Sequence, residues 1–404
     1  MKLFKLSLAA ALAAGAFATS ASAVALEDAI KDVDVSGFAW MRVDSYKGDN
    51  GTKTDNKHAW KFKGVVNTNV KIDDNFFGVV GVRLGADEDP ADGTRTDATS
   101  KNFDLYQAYL GYKIGGTTIQ MGRQKLGTFF TDDMYGDGFK VLNQDIEGLT
   151  LAALWMDALE ADGDIGVMLN GDLSELGITK NDSGHNKLVD NKSLVQHNLW
   201  GVAAIGSYDP VSFQLWYAGL QDVVDLFAVE AGLSFDVTED INLGLTAQYA
   251  YSNFNDDYVA LGADDANFFA VEASTSLFGF DLTAGYVQYD TDSKVHSRVS
   301  FEDQGSFISP GEDLLSYTHF TGDNHAWFIT AAYAIADTGL TIGDDFVSGE
   351  FDDEDAWENV VRVNYKYNKK LSFQTWWSHV KYDGKNGAKD TEDDHIRFQA
   401  RYAF

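Results

Sequence analysis

Apolar and polar residues alternate one for one along much of this chain. In "IRFQARYAF", Ile396, Phe398, Ala400, Tyr402 and Phe404 fall on one face of an extended segment, and Arg397, Gln399 and Arg401 on the other, because successive strand side chains point to opposite sides. "VRVNYKY" sets Val361, Val363, Tyr365 and Tyr367 against Arg362, Asn364 and Lys366. "VVGVRLG" sets Val80, Val82 and Leu84 against Arg83, and Trp60 and Phe62 alternate with Lys61 and Lys63. Aliphatic residues sit mid-segment and aromatics gather near the ends, as in a lipid-facing strand between two aromatic girdles.

About eighteen such segments follow one another, from 33–44 to 393–404, with 149–156 and 164–171 as the sixth and seventh. Short links (72–75, 113–116, 208–210, 367–370) alternate with long polar ones (87–102, 124–148, 172–196, 291–323). This rhythm predicts an all-β fold, a transmembrane antiparallel barrel with short periplasmic turns and long external loops. In lipid every backbone polar group must be paired, so the sheet has to close on itself. The aromatic Phe404 suits a closing strand whose end lies at the membrane interface. At the other end, "MKLFKLSLAAALAAGAFATSASA" has early lysines, an apolar stretch over 6–17 and Ala21-Ser22-Ala23. It reads as a secretory signal removed after Ala23, leaving 24–404 as one barrel domain.

Charge and composition narrow the function. The chain carries 62 acidic against 31 basic residues, a formal charge of −31, which argues against nucleic acid as a partner. It has no cysteine, hence no disulfide framework and no thiolate chemistry. Neither a G-x-S-x-G elbow nor an H-E-x-x-H motif occurs, and the eight histidines are scattered, so no enzymatic activity is expected. The link 124–148 stands out. It carries Asp132, Asp133, Asp137, Asp145 and Glu147 together with apolar Phe129, Phe130, Phe139 and Val141. That apolar content predicts a loop folded into the lumen after the fifth strand, its carboxylates favouring cations. Strand parity nominates Arg42, Lys61, Lys63, Arg83, Arg362, Lys366, Arg397 and Arg401 as the basic wall opposite. Charges on an inward face require a wet interior.

The segments "LEDAIKDVDVSG", "GRQKL", "GFKVLN", "IEGLTLAA", "AAIGSYD", "FEDQG", "RVNYKYNKKLSF" and "RFQARYAF" resemble the major outer-membrane porin of Campylobacter-type bacteria. The resemblance implies an eighteen-stranded homotrimeric porin of the outer membrane, among lipid and lipopolysaccharide, passing small hydrophilic solutes with a preference for cations. It also implies a calcium ion held in the channel by the counterparts of Asp137, Asp164 and Glu302, with Asp133 as the alternative to Asp137. The expectation is therefore a passive general-diffusion porin. The competing expectation is a structural or adhesive surface barrel whose long loops, 172–196 and 291–323, bind partners.

Overall fold

The computed structural model describes residues 33–49, 54–85, 103–160, 197–238, 241–260, 262–292, 299–315, 321–351, 353–384 and 389–404. The expected signal segment, the strand expected at 164–171 and the loop 172–196 lie outside these residues. Among the described residues eighteen strands form one sheet: β1 (Val33–Asp49), β2 (Thr54–Lys71), β3 (Phe76–Leu84), β4 (Phe103–Ile114), β5 (Thr117–Lys125), β6 (Tyr135–Asn143), β7 (Leu149–Leu159), β8 (Leu199–Tyr208), β9 (Val211–Leu220), β10 (Val224–Thr238), β11 (Ile241–Phe254), β12 (Ala266–Leu277), β13 (Phe280–Thr291), β14 (Gly322–Ile335), β15 (Leu340–Phe351), β16 (Glu354–Lys366), β17 (Leu371–Tyr382) and β18 (Thr391–Ala403). Each pairs antiparallel with its neighbour in sequence, and β1 also pairs with β18, so the sheet is a closed barrel. Eighteen strands leave a lumen wider than side chains alone can fill.

The alternation in the sequence is the inside and outside of this wall. Met41, Trp60, Leu215, Leu233, Ile329, Val361, Ile396 and Phe398 are exposed on the outer face. Aromatic pairs sit near the short turns, among them Phe280 with Tyr333 at 4.5 Å and Phe76 with Tyr112 at 4.7 Å. Hairpin geometry fixes the register there. Gly115 adopts φ 58°, a backbone conformation that glycine takes without strain, at the β4–β5 turn.

The inner face is divided by height. Towards the long-loop end it carries small residues in adjacent strands: Ala228 lies opposite Ala250, Ala250 opposite Phe268, and Val287 opposite both Ala270 and Ala326. Small side chains on the wall make room for two chain segments that fold inward. One is 126–134, between β5 and β6, whose Leu126, Phe129, Phe130 and Met134 are buried. The other is 299–315, between β13 and β14, whose Val299, Phe301, Phe307 and Leu314 are buried. Their rings interlock: Phe129 meets Phe307 edge-on at 5.0 Å, Phe130 meets Phe301 at 5.9 Å, and Phe307 reaches the wall at Phe268, 4.6 Å away. Backbone bonds from Phe301 to Phe130 (2.8 Å) and from Ser306 to Phe129 (2.8 Å) join the two segments. Buried apolar side chains of this size each stabilise the assembly by about 1.5–3 kcal/mol.

Two sequence expectations change here. The inward loop after β5 spans 126–134, shorter than the expected 124–148, because residues 135–143 form β6. The link 291–323 is expected outside the barrel, yet of its described residues 299–315 pack inside.

The seam between β1 and β18 runs from Phe38 opposite Ala403 to Asp49 opposite Glu392. Gly37 and Phe404 exchange both backbone bonds, at 3.2 and 3.0 Å. On the lumen side the seam is held by Asp44, which is 0% exposed. Its carboxylate accepts from Arg397 Nε at 2.6 Å, meets His395 Nε2 at 3.3 Å and lies 3.6 Å from Lys61 Nζ. Removing one partner of a buried ion pair leaves the other charges uncompensated. Asp44→Ala is accordingly expected to lower unfolding stability by about 3 kcal/mol, read as a shift of the chemical-denaturation midpoint in detergent micelles. An unchanged midpoint would show that the seam does not depend on this carboxylate.

Candidate functional site

Segments 126–134 and 299–315 meet inside the barrel, and one side chain organises the junction. Glu302 is 2% exposed and accepts backbone N–H bonds from Asp132 (2.7 Å), Asp133 (3.3 Å) and Met134 (3.2 Å). The tight turn 131–134 aims successive N–H groups at one carboxyl, which satisfies donors that the loop would otherwise bury unpaired. Lys63 of β2 reaches Asp133 from the wall at 3.1 Å. Burial and the neighbouring Asp133 carboxyl push the Glu302 pKa up to about 8. Asp133, against its own burial, is held below the usual carboxylate range by Lys63.

The far end of the 299–315 segment is tied to the opposite wall in the same way. Glu358 of β16, 0% exposed, accepts from the backbone N–H groups of Glu312 (2.9 Å), Asp313 (3.0 Å) and Leu314 (3.1 Å) and from Ser378 Oγ (2.7 Å). Arg362 pairs with Glu312, donates to the Gly311 carbonyl at 3.1 Å, and holds Asp345 at 2.5 Å. Asp313 meets His395 Nδ1 at 2.9 Å. In the middle, Gln248 of β11 accepts from Ile308 N (2.8 Å) and donates to the Ser306 carbonyl (3.0 Å). The segment thus rests on the β5–β6 loop through its first residues, on β11 in the middle and on β16 and β18 at its far end.

The sequence candidates divide sharply. Asp132 and Asp133 lie on the inward loop. Asp137 does not; it is within β6, where Arg123 of β5 holds it at 3.1 Å. Asp145 and Glu147 belong to the β6–β7 turn at the other end of the barrel, where Asp145 accepts from Gly116 N at 2.8 Å. Apolar residues such as Phe139 and Val141, which suggested a long packed loop, are instead strand residues of β6.

The basic candidates are engaged by direct contact with other side chains. Besides Lys63 and Arg362, Lys61 and Arg397 meet Asp44, while Arg83 meets Asp104 at 3.0 Å and Glu160. Arg42 donates to Gln399 at 3.0 Å and lies over Trp40, and Arg401 lies over Phe38 at 4.5 Å. Lys366 ends β16 beside the β16–β17 turn and lines, with Arg401, a cavity of about 310 Å³. Sequence reading missed Asp44, which collects Lys61 and Arg397, and Glu358 and Asp313, which fasten the 299–315 segment. The inward parity of Asp44 and Glu358 is visible in the sequence, but their partners come from strands and a segment whose placement only the folded barrel reveals.

Of the three residues expected at a calcium ion, Asp137 and Glu302 are described. Of the two alternatives, Asp133 stands beside Glu302 and Asp137 is paired with Arg123. Glu302 commits both oxygens to backbone donors. Among the described residues no group of three or more His, Asp or Glu side chains is assembled for a metal, and Asp164 lies outside them.

Comparison with curated proteins gives no match. Comparison with solved structures gives extensive likeness of fold. A BenF-like porin from Pseudomonas fluorescens Pf-5 superposes with a TM-score of 0.65 at 13% identity, covering 92% of this chain and 99% of that one. OccK8 (OprE) of Pseudomonas aeruginosa gives 0.65 at 13%, covering 92% and 98%. OccK9 (OpdG) of the same organism gives 0.65 at 15%, covering 92% and 99%. The family described as Campylobacter major outer membrane protein matches residues 1–404. A closed barrel with an apolar outer face, a charge-lined lumen and a family match along its whole length leave one assignment: the chain belongs to the Campylobacter major outer membrane protein family and is a porin channel of the outer membrane.

Proposed function

We propose that the channel passes small hydrophilic solutes by passive diffusion and favours cations. The observation that carries this reading is the matching of two wall arginines, each by a pair of carboxylates. Arg83 faces two carboxylates, Asp104 and Glu160, and Arg362 faces two, Glu312 and Asp345. Lys63 faces Asp133. A basic side chain so matched presents little positive field to a passing ion, and the excess carboxylates attract cations. The chain's formal charge of −31 points the same way. A homotrimer seated among lipopolysaccharide is the assembly that the family resemblance implies. The adhesive alternative loses support at 299–315, because that segment is turned inward.

A potassium chloride gradient across a planar bilayer reads the selectivity as the sign of the reversal potential, which is expected to favour potassium. Asp133→Asn combined with Glu312→Gln removes one carboxylate each from Lys63 and Arg362. It is expected to lower the cation-to-anion permeability ratio about two- to fivefold, the weight of roughly 0.5–1 kcal/mol for a screened charge. A wild-type channel that favours chloride would overturn the reading.

The Glu302 carboxyl adds a pH dependence. Its pKa is about 8 when the two segments are docked, against 4.5 ordinarily, so the docked state binds the proton more tightly than the parted state. That contribution to docking is complete below about pH 4.5 and is lost as pH rises through about 8. Current fluctuations from loop release should therefore grow between pH 5 and pH 9, and Glu302→Gln should flatten the profile. Noise independent of pH in the wild type would show that Glu302 titration is not coupled to docking.

A further inference from the structure

On the inner wall between β10 and β14, roofed by the 299–315 segment, lies a cavity of about 450 Å³, within the range of small-molecule sites. Two carboxylates, Glu230 and Glu272, and three threonines of the wall, Thr246, Thr283 and Thr330, line it. Register explains why they converge. Thr246 lies opposite Glu272 across β11 and β12, and Thr283 lies opposite Thr330 across β13 and β14. All are on the inward side of their strands, the side that carries Ala228, Ala250 and Phe328 nearer the long loops. Phe307, Ile308 and Pro310 of the inward segment roof the space with apolar surface.

The polar part is set up for a donor. Gln248 spends its oxygen on Ile308 N and its two N–H groups on the Ser306 carbonyl and on Glu230, the last at 2.6 Å. Gln214 also donates to Glu230, at 3.1 Å. The amides therefore fix the Glu230 carboxylate and the roof relative to each other. Among the described residues that line the cavity there is no lysine, arginine or histidine. This distinguishes it from the wall at Asp44, Arg83 and Arg362, where bases and carboxylates meet directly. Two carboxylates without a cationic partner are poorly compensated beside an apolar roof.

We infer that this cavity is a binding station for solutes bearing a primary ammonium group on a short apolar body, an inference that rests on the lumen being a path for cations. A primary ammonium brings a charge and three N–H donors, which the carboxylates and threonine oxygens can accept. Its hydrocarbon part occupies the space under Phe307 and Ile308. An inorganic cation would leave the roof unused, a quaternary ammonium has no N–H to donate, and an anion would meet both carboxylates.

Single channels of the full-length protein in potassium chloride, titrated with n-butylammonium, tetramethylammonium and 1-butanol, test this. n-Butylammonium is expected to reduce the conductance saturably, at concentrations at least about tenfold below those needed for tetramethylammonium, since charge-assisted hydrogen bonds separate the two. 1-Butanol should be without effect. Glu272→Gln should raise the half-blocking concentration of n-butylammonium about tenfold while the channel still conducts potassium chloride. Should that variant fail to assemble, Thr283→Val, which removes a hydroxyl and keeps the shape, should weaken the block in the same direction. Equal block by both ammonium ions, no block at all, or a block indifferent to these substitutions overturns the site. A channel that favours potassium but is not blocked keeps the cation reading and loses the site. One that is blocked without favouring potassium keeps the site and loses the cation reading.

Discussion

Within the hydrocarbon of a membrane, a backbone N–H or C=O has no water to turn to, so each must find its partner inside the protein. A sheet meets that demand only by closing, and closure is completed where β1 lies against β18. The rest of the molecule depends on this seam. It fixes the register of every inward residue, because a slip by one would exchange the lipid face for the lumen face along the whole strand. The buried carboxylate of Asp44 sits at the same place, drawing Arg397 and His395 of β18 and Lys61 of β2 onto one residue of β1. Backbone pairing closes the barrel, and a charge hub on its wet side sets which strands close it.

Inside, two kinds of material share the space. Alanines on the wall admit the phenylalanines of the two inward segments, which pack together as a small core within the lumen. Carboxyl groups then pin the backbone of those segments: Glu302 gathers three N–H groups at one end and Glu358 three at the other. The same device used twice, on opposite sides, suggests why acidic residues outnumber basic ones here for structural as well as electrostatic reasons. Neutral amides such as Gln248 do the pinning where a cavity is left open.

Much of this is legible in the sequence because a membrane barrel imposes a strict period. The alternation around Trp60, Val361 and Ile396 identifies the lipid face without any knowledge of neighbours. Loop length separates the two ends. The constriction is harder to read. Segment 126–134 is visible through Phe129 and Phe130, but β6 carries Gly136, Gly138 and Asp137, residues that weaken a strand signal, so it blends into the loop before it. In 299–315, Phe301, Phe307 and Leu314 give the same apolar cue, masked by a long polar surrounding. Asp137 and Asp133 look alike as acids in one stretch. Only pairing with Arg123 on one side and Lys63 on the other tells them apart.

The 299–315 segment leaves the wall after β13 and is fastened at Gln248, at the β5–β6 loop, at Glu358 and at His395. A hoop fastened to a strut at several points around its rim is harder to flatten than an empty one. Lateral pressure from the bilayer would have to break those attachments before it could squeeze the ring into an oval. The aperture is thereby insulated from membrane tension, and its cross-section is set by the strut more than by the surrounding lipid.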